Sequence, residues 1–84
     1  MSATIARSPQ QVGRLIQRFR HDRGLTQTQL AQLAGQRQEM ISKIERGHGG
    51  VGLATICEVL AALDLELTVG PRTKSAAADI ESLF

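Results

Sequence analysis

The sequence has 84 residues, which is the length of one small domain with short tails and excludes a second hydrophobic core. Hydrophobic residues make up 42% and charged residues 21%, close to the globular average, which excludes a chain that is disordered throughout. The net charge is +2, but residues 1–63 hold eight Arg and Lys against four Asp and Glu, whereas residues 64–84 hold two against four. The basic part favours a polyanionic partner.

Several classes of protein and site are excluded by single residue types. Cys57 is the only cysteine, which excludes an internal disulfide and a cysteine metal cluster, and we expect neither metal nor cofactor. Two aromatic residues, Phe19 and Phe84, are too few for a platform that stacks single-stranded bases. No apolar run reaches the length of a membrane span or a signal peptide, so we expect a cytoplasmic protein without membrane contact. A single core of this size is marginally stable and is usually reinforced by disulfides, a metal or oligomerisation. Because the first two are excluded, we expect oligomerisation.

The first two predicted helices begin with capping signals. Ser8 and Pro9 suit the N-cap and first position of a helix that ends near Gly24, after a flexible N-terminal arm over residues 1–7. A second capping box begins at Thr26, where Leu25 can pack on Leu30 as a hydrophobic staple. Apolar residues at helical spacing predict the buried stripe of the first helix, namely Val12, Leu15, Ile16 and Phe19.

The second helix is predicted to be short, because Gly35 supplies a left-handed turn at little steric cost. A third helix is predicted over roughly Arg37 to Arg46, and it stops at Gly47. Its apolar residues are predicted to face the core, namely Met40, Ile41 and Ile44.

A fourth helix is predicted after the glycine loop, with Gly52 as its N-cap. The period of the apolar residues then changes to two, which predicts a half-buried strand. The chain offers no second strand candidate, so the hydrogen-bonding partner of this strand is expected to be a second copy of the chain. The predicted buried face of the fourth helix is Leu53, Ile56, Cys57, Leu60 and Leu63, and the predicted dimer strand presents Leu65, Leu67 and Val69.

Pro71 ends the predicted strand, and residues 71–84 are expected to be a flexible C-terminal tail. Three apolar side chains return at the end of this tail: Ile80, Leu83 and Phe84. They are either a docking motif for a partner protein or simply a disordered end, and both interpretations stay open.

Two short helices joined at Gly35, the second of them polar on its outer face, are typical of a helix-turn-helix that binds double-stranded DNA. In that arrangement the second helix enters the major groove with its N-terminal residues at the base edges. Glutamine pairs with adenine, glutamate accepts a hydrogen bond from cytosine, and lysine donates one to guanine. Serine can donate or accept a hydrogen bond at a base edge. The candidate base-reading residues are Gln38, Glu39, Ser42 and Lys43.

The sequence is similar to the lambda-repressor-like (Xre-type) helix-turn-helix family over residues 12–64. The resemblance is carried by Leu25-Thr26-Gln27, Leu30-Ala31, Gly35 and Ile41-Ser42-Lys43-Ile44-Glu45-Arg46-Gly47. It implies a mainly α fold, a small helical bundle over residues 8–70 that binds operator DNA as a dimer.

The resemblance also implies roles for individual residues. Gln27 and Arg46 would contact phosphate, Gln38, Glu39 and Lys43 would read bases, and Arg20 would form a structural ion pair with Glu45. Two positions depart from the family pattern, because Gln36 replaces an aliphatic residue and Arg37 replaces a Ser or Thr N-cap. Either the turn is slightly repacked at these positions or Arg37 is a further phosphate contact, and the second interpretation fits the geometry of the motif, since helix N-termini lie against the DNA backbone.

A helix-turn-helix followed directly by a strand and a loose tail is similar to the HipB-like antitoxins. This resemblance implies a homodimeric repressor of a palindromic operator, associated with the nucleoid when bound, that also binds a HipA-type kinase toxin and autoregulates its operon. A stand-alone Xre-type regulator without a toxin partner is the alternative.

The sequence also bears on two further classes of function, an enzyme and a protein-binding adaptor. An enzyme is not predicted, because the sequence has no nucleophile beside a base, no phosphate-binding glycine loop followed by Lys, and no paired carboxylates for a cleft. A protein-binding adaptor that has lost DNA affinity is favoured only by Glu39 and the acidic C-terminal part. A DNA-binding assay separates the adaptor from the repressor.

Overall fold

The computed structural model describes residues 5–72. They contain four helices around one core: α1 (Pro9–Asp22), α2 (Gln27–Ala34), α3 (Gln38–Glu45) and α4 (Leu53–Ala62). The four predicted helices are therefore confirmed, with ends within one or two residues of those expected. None of the helices in the described part is long and apolar enough to cross a membrane. The predicted docking residues Ile80, Leu83 and Phe84 lie outside the described residues.

Hydrogen bonds from side chains define where α1 and α2 begin. Ser8 Oγ accepts from the backbone N–H of Gln11 at 3.1 Å, while the Gln11 side chain accepts from the N–H of Arg7. At α2 the capping box is complete, with 3.0 Å between the Gln29 N–H and Thr26 Oγ1 and 2.8 Å between the Thr26 N–H and Gln29 Oε1. Local sequence signals are therefore sufficient to position both N-termini.

Two glycines shape the packing of the first three helices. Gly35 has a φ of 68°, a left-handed conformation that turns the chain sharply between α2 and α3. Gly13 lies where α1 crosses α3, and a Cβ atom at this position would stand 2.2 Å from the carbonyl oxygen of Ile44. The backbones of α1 and α3 therefore approach more closely than any other residue would permit.

Among residues 5–72 the core contains seven buried apolar residues: Ile16, Leu30, Ala31, Ile41, Ile44, Val59 and Leu63. Leu25 packs against this cluster, as expected for the hydrophobic staple beside α2. One prediction about α4 is wrong, because Leu53 is 66% exposed and Cys57 is also exposed. The buried residue of the helix is Val59, which was not predicted, whereas Leu63 at the C-cap is buried as predicted and Ile56 and Leu60 are half-buried. Since α4 is apolar on nearly every side, the spacing of its apolar residues does not identify the buried face.

The segment that follows α4 is stabilised only at its start. Asp64 adopts a left-handed φ of 59°, and the N–H of Leu65 donates to the carbonyl of Leu60 at 2.8 Å, which closes the helix end. Residues 65–70 form no strand within the described chain, and Leu67 and Val69 are 53% and 89% exposed. The predicted strand and its pairing require a second chain, so both stay predictions.

Candidate nucleic-acid interface

The arrangement of α2 and α3 fixes the direction in which the outer face of α3 points. Leu30 and Ala31 on α2 are buried in the same cluster as Ile41 and Ile44 on α3. These contacts and the left-handed turn at Gly35 hold the two helices as one unit. The opposite side of α3 is therefore available to a partner.

The predicted base-reading residues share this outer side. Gln38, Glu39 and Lys43 are exposed, and Ser42 is half-buried. Gln38 and Ser42 are one helical turn apart, as are Glu39 and Lys43, so the four side chains form one polar surface. Within residues 5–72 the side chains of Glu39 and Lys43 take part in no hydrogen bond or ion pair, which leaves both side chains available to a ligand.

A buried ion pair connects α1 to the end of α3. Arg20 Nε lies 2.6 Å from Glu45 Oε2, and Arg20 Nη2 lies 3.0 Å from Glu45 Oε1. The side chains are 8% and 2% exposed. Arg20 Nη1 also donates to the carbonyl of Leu25 at 2.7 Å, so the guanidinium spans α1, α3 and the turn before α2. The structural ion pair implied by the family resemblance is present.

Gln27 extends this network to the beginning of α3. Its Nε2 donates to Glu45 Oε1 at 3.0 Å, and its Oε1 accepts from Gln38 Nε2 at 2.5 Å. Gln27 is half-buried, and both ends of its amide are engaged. Gln38 keeps one N–H and its carbonyl oxygen for a further partner, which are the two groups that adenine requires. The buried ion pair thus orients a predicted base-reading side chain through Gln27.

Cationic side chains stand at both ends of α3, which is about 12 Å long. Arg37 occupies the N-cap without a side-chain capping bond, and Arg46 occupies the C-cap; both are exposed. The first turn of α2 contains no acidic residue that would compete with a phosphate for its N-terminal N–H groups. The surroundings of the polar face are therefore suited to an anionic backbone.

One contact at the turn was missed by sequence reasoning. Gln36 Nε2 donates to Glu58 Oε1 on α4 at 2.6 Å. The sequence identified Gln36 as a departure from the family pattern, but its partner is 22 residues away and no local signal connects the two. This bond gives the polar side chain of Gln36 a partner at a position where the family pattern has an aliphatic residue.

A largely apolar groove of about 740 Å³ lies between α1 and the segment after α4. The predicted strand residue Leu65 is half-buried beside it, and Leu67 and Val69 also line it. Further apolar side chains of the groove are Val12, Leu15, Phe19 and Leu60. The predicted dimer strand is therefore adjacent to apolar surface that the single chain leaves open.

Comparison with protein families also identifies a helix-turn-helix in this chain. Residues 16–69 match the family described as helix-turn-helix. A protein of Haemophilus influenzae (strain ATCC 51907 / DSM 11121 / KW20 / Rd), described as an uncharacterized HTH-type transcriptional regulator, is 40% identical over 58 residues. The match covers 68% of this chain and 59% of that relative, so the chain spans about three fifths of the length of the relative.

Solved structures of HipB share the fold. A HipB variant in complex with an O2 20mer has a TM-score of 0.79 and 29% identity, over 86% of this chain and 100% of that chain. A complex of HipA, HipB, O2 and O3 contains a chain with a TM-score of 0.78 and 28% identity, over 84% of this chain and 100% of that chain. HipB with an O4 20mer gives the same TM-score, identity and coverage.

Proposed function

The chain belongs to the Xre-type helix-turn-helix family of transcriptional regulators, and from this premise we propose that it is a homodimeric repressor that binds a palindromic DNA operator. The resemblance to this family and to HipB, predicted from the sequence, is confirmed. The proposal concerns the form of the complex and the residues that contact DNA.

The observation that carries the proposal is the orientation of the polar face of α3. Gln38 is held by Gln27, which is held in turn by the carboxylate of the buried ion pair. A side chain fixed before binding loses less conformational entropy on binding than a mobile one. Gln38 is proposed to pair with adenine, whereas Glu39, Ser42 and Lys43 contact neighbouring base edges.

Phosphate contacts are proposed for Arg37, Arg46 and Gln27. Arg37 and Arg46 are exposed at the two ends of α3, where the helix would meet the walls of the major groove. Gln27 begins α2, and its Nε2 has a second N–H beyond the one given to Glu45. These contacts would set the position of α3 on the duplex without choosing its sequence.

A homodimer is proposed to form through residues 65–70. The exposure of Leu67 and Val69 and the open groove beside them leave apolar surface that a second copy would cover. Pairing of these segments as strands also supplies partners for their backbone groups. In such a dimer the two α3 helices would enter successive major grooves, about 34 Å apart on one face of the DNA.

The first test compares Lys43→Ala with Arg37→Ala, since each removes one cation from the proposed interface. Lys43→Ala should weaken operator binding by about 1–3 kcal/mol and leave binding to random DNA nearly unchanged. Arg37→Ala should weaken binding to both DNAs and lower the slope of log affinity against log salt concentration by about one per protomer. Fluorescence anisotropy with the upstream region of the gene and with scrambled DNA, at several salt concentrations, measures all four affinities. Equal losses on both DNAs for Lys43→Ala would contradict its role in base reading.

A second proposal adds an antitoxin role, in which the same dimer binds a HipA-type kinase toxin. It is supported by the shared fold with the HipB chain of the HipA–HipB–O2–O3 complex. The stand-alone regulator is the alternative.

Affinity capture from the native host should recover a kinase-like protein encoded beside this gene. A form ending at Arg72 should bind DNA normally and capture less of that protein if the apolar C-terminal residues are the docking motif. Absence of a kinase-like gene nearby, together with capture of no such protein by the full chain, would leave only the stand-alone regulator.

A further inference from the structure

A cleft of about 480 Å³ lies beside α3 and the turn at Gly35. Two cations and one anion line it, namely Arg37, Lys43 and Glu39. All three side chains are exposed, and within residues 5–72 none of them takes part in a hydrogen bond or ion pair. In the described part of the chain the cleft is therefore an open site with unpaired groups of both charges.

The unpaired carboxylate of Glu39 is unexpected on a surface that is proposed to meet DNA. The phosphates make every duplex strongly anionic, so a carboxylate at the interface lowers the affinity for DNA of any sequence. Lys43 occupies the position one helical turn later, where an ion pair would neutralise this charge, but no ion pair joins the two side chains in the described chain. In the proposed complex the charge of Glu39 is therefore left for the DNA itself to compensate.

Cytosine is the base whose major-groove edge suits a carboxylate. A carboxylate only accepts hydrogen bonds, and cytosine presents its N4 amino group as a donor with no acceptor beside it. Adenine has a donor at N6 but also an acceptor at N7, whereas guanine and thymine present acceptors and no donor on this edge. A carboxylate at position 39 therefore favours cytosine over the other three bases.

Lys43 suits the guanine that pairs with this cytosine. Its ammonium group only donates hydrogen bonds, and guanine presents two acceptors, O6 and N7, in the same groove. Residues four apart on a helix have their Cβ atoms about 5–6 Å apart, so the two side chains can contact neighbouring groups of one base pair. A C·G pair thus provides a partner of the correct kind for each of the two unpaired charges.

We propose that Glu39 and Lys43 together select one C·G base pair in each half-site, and that Glu39 contributes mainly by weakening binding to every other pair. A charge left without a partner on the wrong ligand is an effective source of specificity. This inference rests on the proposed function and adds to it the identity of a base pair that the operator contains.

Selection of binding sites from a randomised DNA library measures the base preference at each position. Sites selected by the wild-type chain should contain one position per half-site at which cytosine is fixed. In Glu39→Gln the carboxylate becomes an amide, which donates as well as accepts and pairs with adenine, so the preference at that position should shift from cytosine to adenine by about fivefold or more. Sites without such a cytosine, or a cytosine that Glu39→Gln leaves fixed, would overturn the inference.

Two further variants show whether the effect belongs to this pair of residues. Lys43→Ala should relax the same position, because the guanine of that pair loses its partner, and relaxation of a different position would contradict the joint contact. Asp64→Asn removes an exposed carboxylate that does not line the cleft, and asparagine tolerates the left-handed conformation of this residue. This control should leave the preference at every position unchanged.

Affinity for random DNA separates this role from a role in stability. An acidic residue in the first turn of α3 also stabilises the helix, and loss of that effect alone would weaken binding to all DNA. Glu39→Ala should instead strengthen binding to random DNA by about threefold, as expected for removal of one charge about 6 Å from a phosphate in water. The ratio of operator affinity to random affinity should fall by about fivefold or more. An affinity for random DNA that is unchanged or lower would overturn the proposed role of the charge.

The selection also distinguishes failure of this inference from failure of the proposed repressor. A palindromic site whose base preferences are indifferent to Glu39→Gln leaves the repressor standing and removes the inference. If the wild-type chain selects no sequence from the library, the repressor and the inference fail together.

Discussion

Replacing Glu45 with alanine should lower the free energy of unfolding by about 3–5 kcal/mol, because it leaves the buried Arg20 guanidinium without a counter-ion. It also removes the acceptor of the Gln27 amide. A domain of this length is expected to have a total stability of roughly 4–13 kcal/mol, so the loss is a large fraction of it. Urea denaturation followed by circular dichroism measures the change.

Two comparisons make the Glu45 result specific. Glu39→Ala removes an exposed carboxylate of the same helix and should change stability by less than about 0.5 kcal/mol. Combining Arg20→Met with Glu45→Leu replaces the pair by apolar side chains and should recover most of the loss, as buried pairs often do. A Glu45→Ala chain as stable as the wild type would mean that Arg20 is solvated or paired elsewhere in solution.

Gly13→Ala should destabilise the chain by about 2 kcal/mol or more, although alanine is ordinarily the better residue within a helix by about 0.5–1 kcal/mol. The added Cβ would lie 2.2 Å from the Ile44 carbonyl oxygen and 3.0 Å from that of Glu45. Both are backbone atoms, so α1 would have to move away from α3 by roughly 1 Å to reach van der Waals distance. Thermal melting should show a fall of roughly 4–8 °C for each kcal/mol lost.

Gly50→Ala is the matched control for this substitution. No atom lies within 4 Å of a Cβ placed at Gly50, and the backbone there needs no positive φ. Alanine should therefore leave stability unchanged or raise it by up to about 1 kcal/mol, because it lowers the conformational entropy of the unfolded chain. If Gly13→Ala stabilised the chain as much as Gly50→Ala, the close crossing of α1 and α3 would be wrong.

The four helices were predictable because their signals are local. The capping box at Thr26 and the left-handed glycine at Gly35 act over three or four residues, and both have the expected geometry. The helix-turn-helix follows from these signals and from the buried positions of α3. The position of the candidate residues on the outer side of α3 was predictable for the same reason, since the buried Ile41 and Ile44 determine which residues face outwards.

The features that were not predictable depend on distant residues or on a second chain. The spacing of apolar residues on α4 does not separate the side with Val59 from the side with Cys57, because both are apolar. The bond between Gln36 and Glu58 joins separate helical regions without any sequence signature. Residues 65–70, predicted as a strand, form none within the described chain, because a strand needs hydrogen-bonding partners that these residues do not find there.

The contacts of α3 make its outer residues unequal in how freely they can evolve. Gln38 is bonded to Gln27 and through it to Glu45, so a replacement of Gln38 would release the half-buried amide of Gln27 as well as alter the proposed base contact. Glu39 and Lys43 have no such ties within the described residues. In the proposed complex, substitutions at positions 39 and 43 would change base contacts at almost no loss of stability, whereas a substitution at position 38 would also break a hydrogen bond within the protein.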